Sequence, residues 1–266
     1  MGGIIPPGTA ALWCGNDLFS DSAAGFSVFA MDLGGNLLIE VQNTAMTGVA
    51  FDGTNLWFSS PVSAASSVAE LSKRNTDGTL VPGAIFSPQA FSESTEDLTF
   101  DPKRNLLWRI DNDPATLVQI DPATGAVVQS FALSAADLDP VLKGGYGIAY
   151  DTFKDVLYVS FGRLDEDPFP NHFIEGVVKT ADPATGAITG ELFRTDAVAS
   201  GETTFATGGL AYQPGTGTLT GEGTLWVGDL LYVRHMSLTG EVIARVRSPQ
   251  PPGRFIDGLE FVSGSG

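Results

Sequence analysis

Oxygen-bearing side chains recur at one position in three similar segments of the chain. In "LWCGND", "LWRIDN" and "TLWVGDL" the third residue after the tryptophan is Asn16, Asp111 and Asp229. Ca²⁺ takes about six to eight oxygen ligands, so side chains that converge from several segments could bind it. The full set of candidate metal ligands is Asn16, Glu96, Asp97, Asp111, Asp229 and Asp257. The competing interpretation is that these residues cap strands and turns on a solvated rim.

Other polar residues suggest chemistry of a different kind. Arg109 stands where the equivalent residues are apolar, and a buried arginine needs a carboxylate, for which Glu96 and Asp97 are the nearest candidates. The alternative is that Arg109 faces an anionic ligand, and Arg163 and Arg254 are further candidate ligand-binding residues. His172, in the longest loop, could act as a general base, although a lone loop histidine is commonly just solvated.

Three repeated patterns define the elements that would position these residues. The first is an apolar strand aligned on Trp13, Trp57, Trp108, Tyr158 and Trp226. The second is a strand just before it, read in "TGVAFD", "EDLTFD", "YGIAYD", "GGLAYQ" and "DGLEFV". The third is a β-hairpin after it, of which "DPATGA" at residues 121–126 and 182–187 supplies two turns. Each unit therefore predicts four antiparallel strands, as in a propeller blade.

Two residues break the columns of the "TGVAFD" pattern. Asp97 stands where the other four segments have glycine, and Glu260 stands where the others have alanine or threonine. Small residues in these columns let backbones approach near a propeller axis. The tryptophan column is expected to pack in the core rather than to stack on a ligand.

The predicted fold is all-β, a single five-bladed β-propeller over residues 1–266 with four antiparallel strands in each blade. The chain starts inside one blade and ends on a strand of the "TGVAFD" type, so the C-terminal strand is expected to complete the N-terminal blade and close the ring. The predicted blade bounds are 10–45 with 255–262, 46–90, 91–135, 144–195 and 206–248.

The D-P-A-T-G hairpins and the G-Φ-A-Y/F-D strands resemble those of bacterial extracytoplasmic β-propeller repeat proteins of the YVTN, NHL and PQQ-like type. The resemblance covers nearly the whole chain. It implies a propeller and a secreted or periplasmic location, although the start "MGGIIPPGT" has no signal-peptide pattern. It does not select a function, because such propellers include binding proteins, scaffolds and enzymes.

The composition restricts the partners. The chain has 14 Lys plus Arg against 31 Asp plus Glu, a net charge of −17, which repels nucleic acid and anionic lipid and attracts cations or basic partners. The one cysteine, Cys14, excludes an internal disulfide, and there is no run of about 20 apolar residues to span a membrane. We expect a monomer that binds a small molecule, a glycan or a basic protein surface.

Three functions follow from these features. The first is an extracytoplasmic binding module whose acidic top face holds a ligand, with Ca²⁺ as the candidate ion. The loops that enter the "TGVAFD" strands and the loops that follow the tryptophan strands form this face. The second is a metal-dependent hydrolase of lactonase or phosphoesterase type at the central channel, with the six candidate ligands and His172. The third is a structural domain of a larger surface protein.

Overall fold

Alternating apolar residues and frequent turn residues divide the chain into short strands. A computed structural model describes residues 5–6, 8–18, 28–41, 46–60, 70–86, 95–112, 115–134, 137, 143–164, 173–196, 208–215, 222–229, 232–249 and 254–264. Within these residues the chain forms five four-stranded antiparallel sheets and no helix. The sheets are the blades of a five-bladed β-propeller, which confirms the predicted fold. In this part of the chain no segment has the helical length and apolarity needed to cross a bilayer.

Each blade runs outward from an inner strand at the axis to an outer strand at the rim. In order from the axis, blade I contains β20 (Arg254–Val262), β1 (Ala11–Leu18), β2 (Val28–Asp32) and β3 (Leu37–Val41). Blade II contains β4 (Gly48–Phe51), β5 (Leu56–Ser60), β6 (Glu70–Arg74) and β7 (Leu80–Phe86). Blade III contains β8 (Thr95–Asp101), β9 (Leu106–Asp111), β10 (Thr116–Ile120) and β11 (Val127–Ala132).

The last two blades follow the same plan. Blade IV contains β12 (Lys143–Asp151), β13 (Val156–Leu164), β14 (Phe173–Ala181) and β15 (Ile188–Asp196). Blade V contains β16 (Leu210–Gln213), β17 (Thr224–Gly228), β18 (Tyr232–Met236) and β19 (Val242–Arg247). The inner strands are therefore β20, β4, β8, β12 and β16.

The ring closes through the C-terminal strand, as the sequence predicts. β20 pairs antiparallel with β1, from Ala11 opposite Val262 to Leu18 opposite Arg254. Blade I is therefore built from the N-terminal strands and the C-terminal strand, and it has four strands like the other blades. Closure of this kind removes an exposed edge that would otherwise template pairing with another molecule.

The tryptophan column lies in the core between blades. Trp13, Trp57 and Trp108 are fully buried, and Tyr158 and Trp226 are nearly so. The Trp108 ring stacks on Phe131 with centroids 5.7 Å apart, and the Trp57 ring stacks on Phe86 at 5.9 Å. These contacts confirm that the column packs in the core, where aromatic burial contributes strongly to stability.

The two "DPATGA" turns are also contacts between blades. In both copies the aspartate side chain accepts hydrogen bonds within the turn, and the glycine has a positive φ, 69° at Gly125 and 66° at Gly186. Gly125 lies against the Phe86 side chain of the preceding blade, and Gly186 lies against Phe131. The turn is repeated because each copy must bend tightly and leave room for a phenylalanine.

We expect Gly186→Ala to lower the free energy of unfolding by about 2 to 4 kcal/mol, because a methyl group there adds overpacking to the cost of a left-handed backbone. A Cβ at this position would lie 2.5 Å from the Phe131 ring. The matched control is Gly83→Ala, which has a φ of 75° and no atom within 4 Å of the added Cβ. The control should lose about 1 to 2 kcal/mol from backbone strain alone. Urea denaturation measures both, and equal losses would contradict the packing role of the turn.

Candidate functional site

Three inner strands carry a β-bulge at the same level of the channel. Glu96 is skipped where β8 pairs with β9, and Tyr146 is skipped where β12 pairs with β13. Asp257 is skipped in the same way where β20 pairs with β1. A bulge leaves one residue out of the ladder and re-aims its side chain. We call Glu96, Tyr146 and Asp257 the channel mouth.

The residues of the channel mouth act on one another electrostatically. Burial raises the pKa of the Tyr146 phenol above its ordinary range, and the carboxylates of Glu96 and Asp257 raise it further. A hydrogen bond with the Asn112 side chain opposes that rise. Three non-adjacent segments of sequence therefore bring two carboxylates and a phenol together, a set that attracts a positive charge and accepts hydrogen bonds from it.

Two buried ion pairs lie outside the inner strands, one on β9 and the other between β18 and the residue that follows β17. Arg109 is fully buried and donates from Nη2 to Oδ2 of Asp111 at 2.6 Å. Arg234 is also fully buried and donates to Asp229. Because burial of either charge alone would be costly, each arginine stabilises the carboxylate beside it. Two of the six candidate metal ligands, Asp111 and Asp229, are therefore paired with guanidinium groups.

Asp97 lies at the channel axis, below the mouth. Its Oδ1 accepts the N–H of Leu98 at 2.8 Å, and its Oδ2 accepts those of Leu210 at 3.0 Å and Ile148 at 3.2 Å. These donors belong to the inner strands of blades III, V and IV. The residue is fully buried, and burial raises the pKa of its carboxyl well above the usual range, although the three N–H groups oppose the rise. Its oxygens thus face hydrogen-bond donors.

Glu260 occupies the channel one level further down and ties blade I to blade II. Its Oε2 accepts the N–H of Phe51 at 3.3 Å, and its Oε1 accepts that of Phe261 at 3.1 Å. Burial raises the pKa of its carboxyl to about 8, and Glu260 in turn helps to raise the pKa of Asp97. Both residues that break the columns of the inner strands therefore place a carboxyl group on the axis.

The other predicted site residues are only partly described. Asn16 lies on β1, Arg163 on β13 and Arg254 on β20, but their side chains are outside the description, and His172 lies outside the described residues altogether. Among the described residues, no group of three or more His, Cys, Asp and Glu side chains could hold a metal ion. The predicted calcium site therefore stays a prediction.

Sequence reasoning did not assign Tyr146, Asn112 or Arg234 to a site. Tyr146 shared its alignment column with Glu96 and Asp257, which is the signal that could have found it. Arg234 was visible as a charge between the apolar residues of β18. Asn112 gave no signal, since it follows the strand in a turn.

Comparison with known proteins supports the fold. No protein-family model matches the chain, and no curated protein matches it. Among solved structures, a glutaminyl cyclase from Myxococcus xanthus has a TM-score of 0.51 and 15% identity over 90% of this chain and 84% of that one. The structure of a nidogen–laminin complex has a chain with a TM-score of 0.53 and 13% identity over 97% and 100%.

A third solved structure is a protein of unknown function from Bacteroides caccae. It has a TM-score of 0.52 and 11% identity over 96% of this chain and 99% of that one. At such identities the likeness shows a common β-propeller fold and no shared activity.

Replacing the axial carboxylate should destabilise the ring. Asp97→Ala removes the acceptor of three N–H groups, and we expect a loss of about 3 kcal/mol or more in the free energy of unfolding. Asp77→Ala is the control, since Asp77 accepts hydrogen bonds from Thr79 in an exposed turn, and its loss should stay within about 1 kcal/mol. Chemical denaturation of both variants provides the measurement, and similar losses would argue against an axial role for Asp97.

Glu260 should make stability fall with rising pH. Above the ordinary glutamate pKa of about 4.3 the unfolded chain releases this proton, whereas the folded protein keeps it up to about pH 8, so the folded state binds more protons in that window. Between about pH 5 and 8 the wild type should lose about 1 to 3 kcal/mol more than Glu260→Gln, a range reduced from the full shift because the side chain is half-buried.

The raised pKa of Asp97 adds a pH dependence of the same sign. Burial is the main cause of the raised Asp97 pKa and Glu260 a smaller one, so most of the Asp97 slope persists in Glu260→Gln. The difference between the two curves therefore reports Glu260 together with its effect on Asp97. The exposed Glu191→Gln variant serves as the control and should keep the wild-type slope. Parallel pH curves for wild type and Glu260→Gln would show that Glu260 titrates as an ordinary glutamate.

Proposed function

We propose that this protein is a ligand-binding β-propeller whose channel mouth binds a positively charged ligand, either Ca²⁺ or an amine. The observation that carries the proposal is the alignment of three bulges on blades III, IV and I, which place Glu96 and Asp257 near enough to the Tyr146 phenol to raise its pKa. A bulge breaks the ladder and re-aims a side chain, and such irregularities concentrate next to functional sites. Three at one level of the channel are difficult to explain by strand pairing alone.

The charge distribution supports a cationic ligand. The chain carries a net charge of −17, and the fully buried arginines Arg109 and Arg234 both pair with aspartates. The carboxylates of Glu96 and Asp257 are close enough to raise the pKa of Tyr146, so the mouth itself is acidic. A low-dielectric cleft lined by one sign of charge concentrates ions of the opposite sign.

The likeness to other propellers is compatible with binding and does not choose the ligand. One similar structure is named as a glutaminyl cyclase and another comes from a nidogen–laminin complex, so both an enzyme and a member of a protein complex share this architecture. The hydrolase remains an alternative prediction, and its candidate base, His172, is not described. Extracytoplasmic location rests on the repeat resemblance alone.

Calorimetric titration with CaCl₂ and with n-butylammonium chloride tests the proposal. We expect the wild type to bind at least one of these cations and the double variant Glu96→Gln/Asp257→Asn to bind it about tenfold more weakly or worse. The control is Glu191→Gln/Glu241→Gln, which removes the same charge from outer, exposed positions and should stay within about twofold. Binding of neither cation, or equal losses in the two double variants, would contradict a site at the mouth.

A further inference from the structure

The aromatic column of the inner strands has a second role that core packing does not explain. Its members stand at the lower end of each inner strand, one from every blade: Phe51, Phe100, Tyr150, Tyr212 and Phe261. All five line one cavity of 250 Å³, at the end of the channel opposite the mouth. The turns that follow the inner strands form its rim. We call this space the aromatic cavity.

Glu260 lines the same cavity and differs in type from the residues at the same position of the other inner strands. The equivalent residues are Ala50, Thr99, Ala149 and Ala211, so Glu260 is the one carboxyl group that this column of the inner strands provides. The other carboxylate of the lining, Asp52, accepts the indole N–H of Trp57 at 2.8 Å and pairs with Lys73 at 3.5 Å. An ionised carboxylate in such surroundings is costly unless a positive charge accompanies it. The raised pKa of the Glu260 carboxyl, whose main cause is burial, is consistent with that cost.

The cavity is small for a complete ligand site. Typical small-molecule pockets measure about 300–1,000 Å³, so 250 Å³ suits a head group or a compact ion rather than a drug-sized molecule. Aromatic rings attract cations through their quadrupole, and recognition of quaternary ammonium groups is the best-known use of this attraction. The carboxylate adds the opposite charge.

The hydrogen-bonding groups of the lining discriminate between kinds of cation. The Tyr150 hydroxyl donates to Asp155 at 2.6 Å, the Thr99 hydroxyl accepts the N–H of Tyr150 at 3.1 Å, and both oxygens of Glu260 accept backbone N–H groups. A primary ammonium needs three acceptors, and a metal ion needs several oxygens. A quaternary ammonium needs neither, so the lining fits it better.

We propose that the aromatic cavity binds a small organic cation of the quaternary-ammonium class, held by the rings of the aromatic column and by the carboxylate of Glu260. This site is separate from the channel mouth, since Asp97 and Glu260 fill the axis between them. The proposal does not depend on the function proposed for the mouth.

Choline and its neutral isostere 3,3-dimethylbutan-1-ol are suitable probes, because they have nearly the same shape and differ in charge. In calorimetric titration of the wild type we expect choline to bind at least about tenfold more tightly than the alcohol, since only the cation gains from the ring faces and the carboxylate. Equal binding of the two probes, or no binding of choline, would overturn the proposal.

Variants locate the site. Glu260→Gln and Phe261→Leu should each weaken choline binding, Glu260→Gln by about tenfold or more, whereas Glu191→Gln, which removes a carboxylate from the exposed outer strand β15, should leave it within about twofold. Circular dichroism establishes that each variant folds. If Glu260→Gln does not fold, Phe261→Leu together with the choline–alcohol comparison decides the question. Choline binding that neither variant weakens would place the ligand elsewhere and overturn the proposal.

Discussion

The inner strands of this propeller face a constraint that their neighbours in the sheets do not. An inner strand pairs on one edge only, and its other edge turns backbone N–H groups toward the axis, where an unpaired group costs free energy. Asp97 accepts three of these groups and Glu260 accepts two. The two carboxyl groups stabilise the centre of the ring where β-pairing cannot.

The narrow space at the axis explains why one inner strand alone carries an aspartate at the Asp97 position and one alone carries a glutamate at the Glu260 position. Glycine fills the Asp97 column in the other four blades, and a Cβ at Gly258 would collide with the carbonyl oxygen of Thr47, the residue just before the inner strand β4. One aspartate can reach donors on two other blades, whereas five would crowd the axis with side chains and like charges. A repeat with one exception is therefore the arrangement that the space allows.

The sequence predicts the outer architecture well, because that architecture depends on local patterns. Turn glycines, alternating strands and the tryptophan column all repeat, and each reports a contact that every blade makes. The unusual character of Asp97 and Glu260 is also visible as a break in a column. Their hydrogen-bond partners are not visible, because Ile148 and Leu210 approach Asp97 only after the ring closes.

The bulges and ion pairs show what else local patterns miss. A bulge adds one residue to one strand, so the period-2 pattern that predicts strands gives no sign that Glu96 or Asp257 leaves the ladder. The Arg109–Asp111 pair could have been predicted from the sequence, because residues two apart on a strand share a face. The sequence suggested Glu96 or Asp97 as carboxylates for Arg109, and the structure adds Asp111, on its own strand.

The contrast between rim and axis also indicates where function can lie in a fold of this kind. At the rim, the two "DPATGA" turns place Gly125 and Gly186 against equivalent phenylalanines, so regularity there maintains the spacing of the blades. At the axis, Asp97 accepts hydrogen bonds from three blades and Glu260 from two. A substitution on one inner strand therefore changes an environment that several blades share, while the turn and tryptophan contacts that repeat from blade to blade keep their residues. Chemistry can vary at the axis while the packing that supports it stays constant.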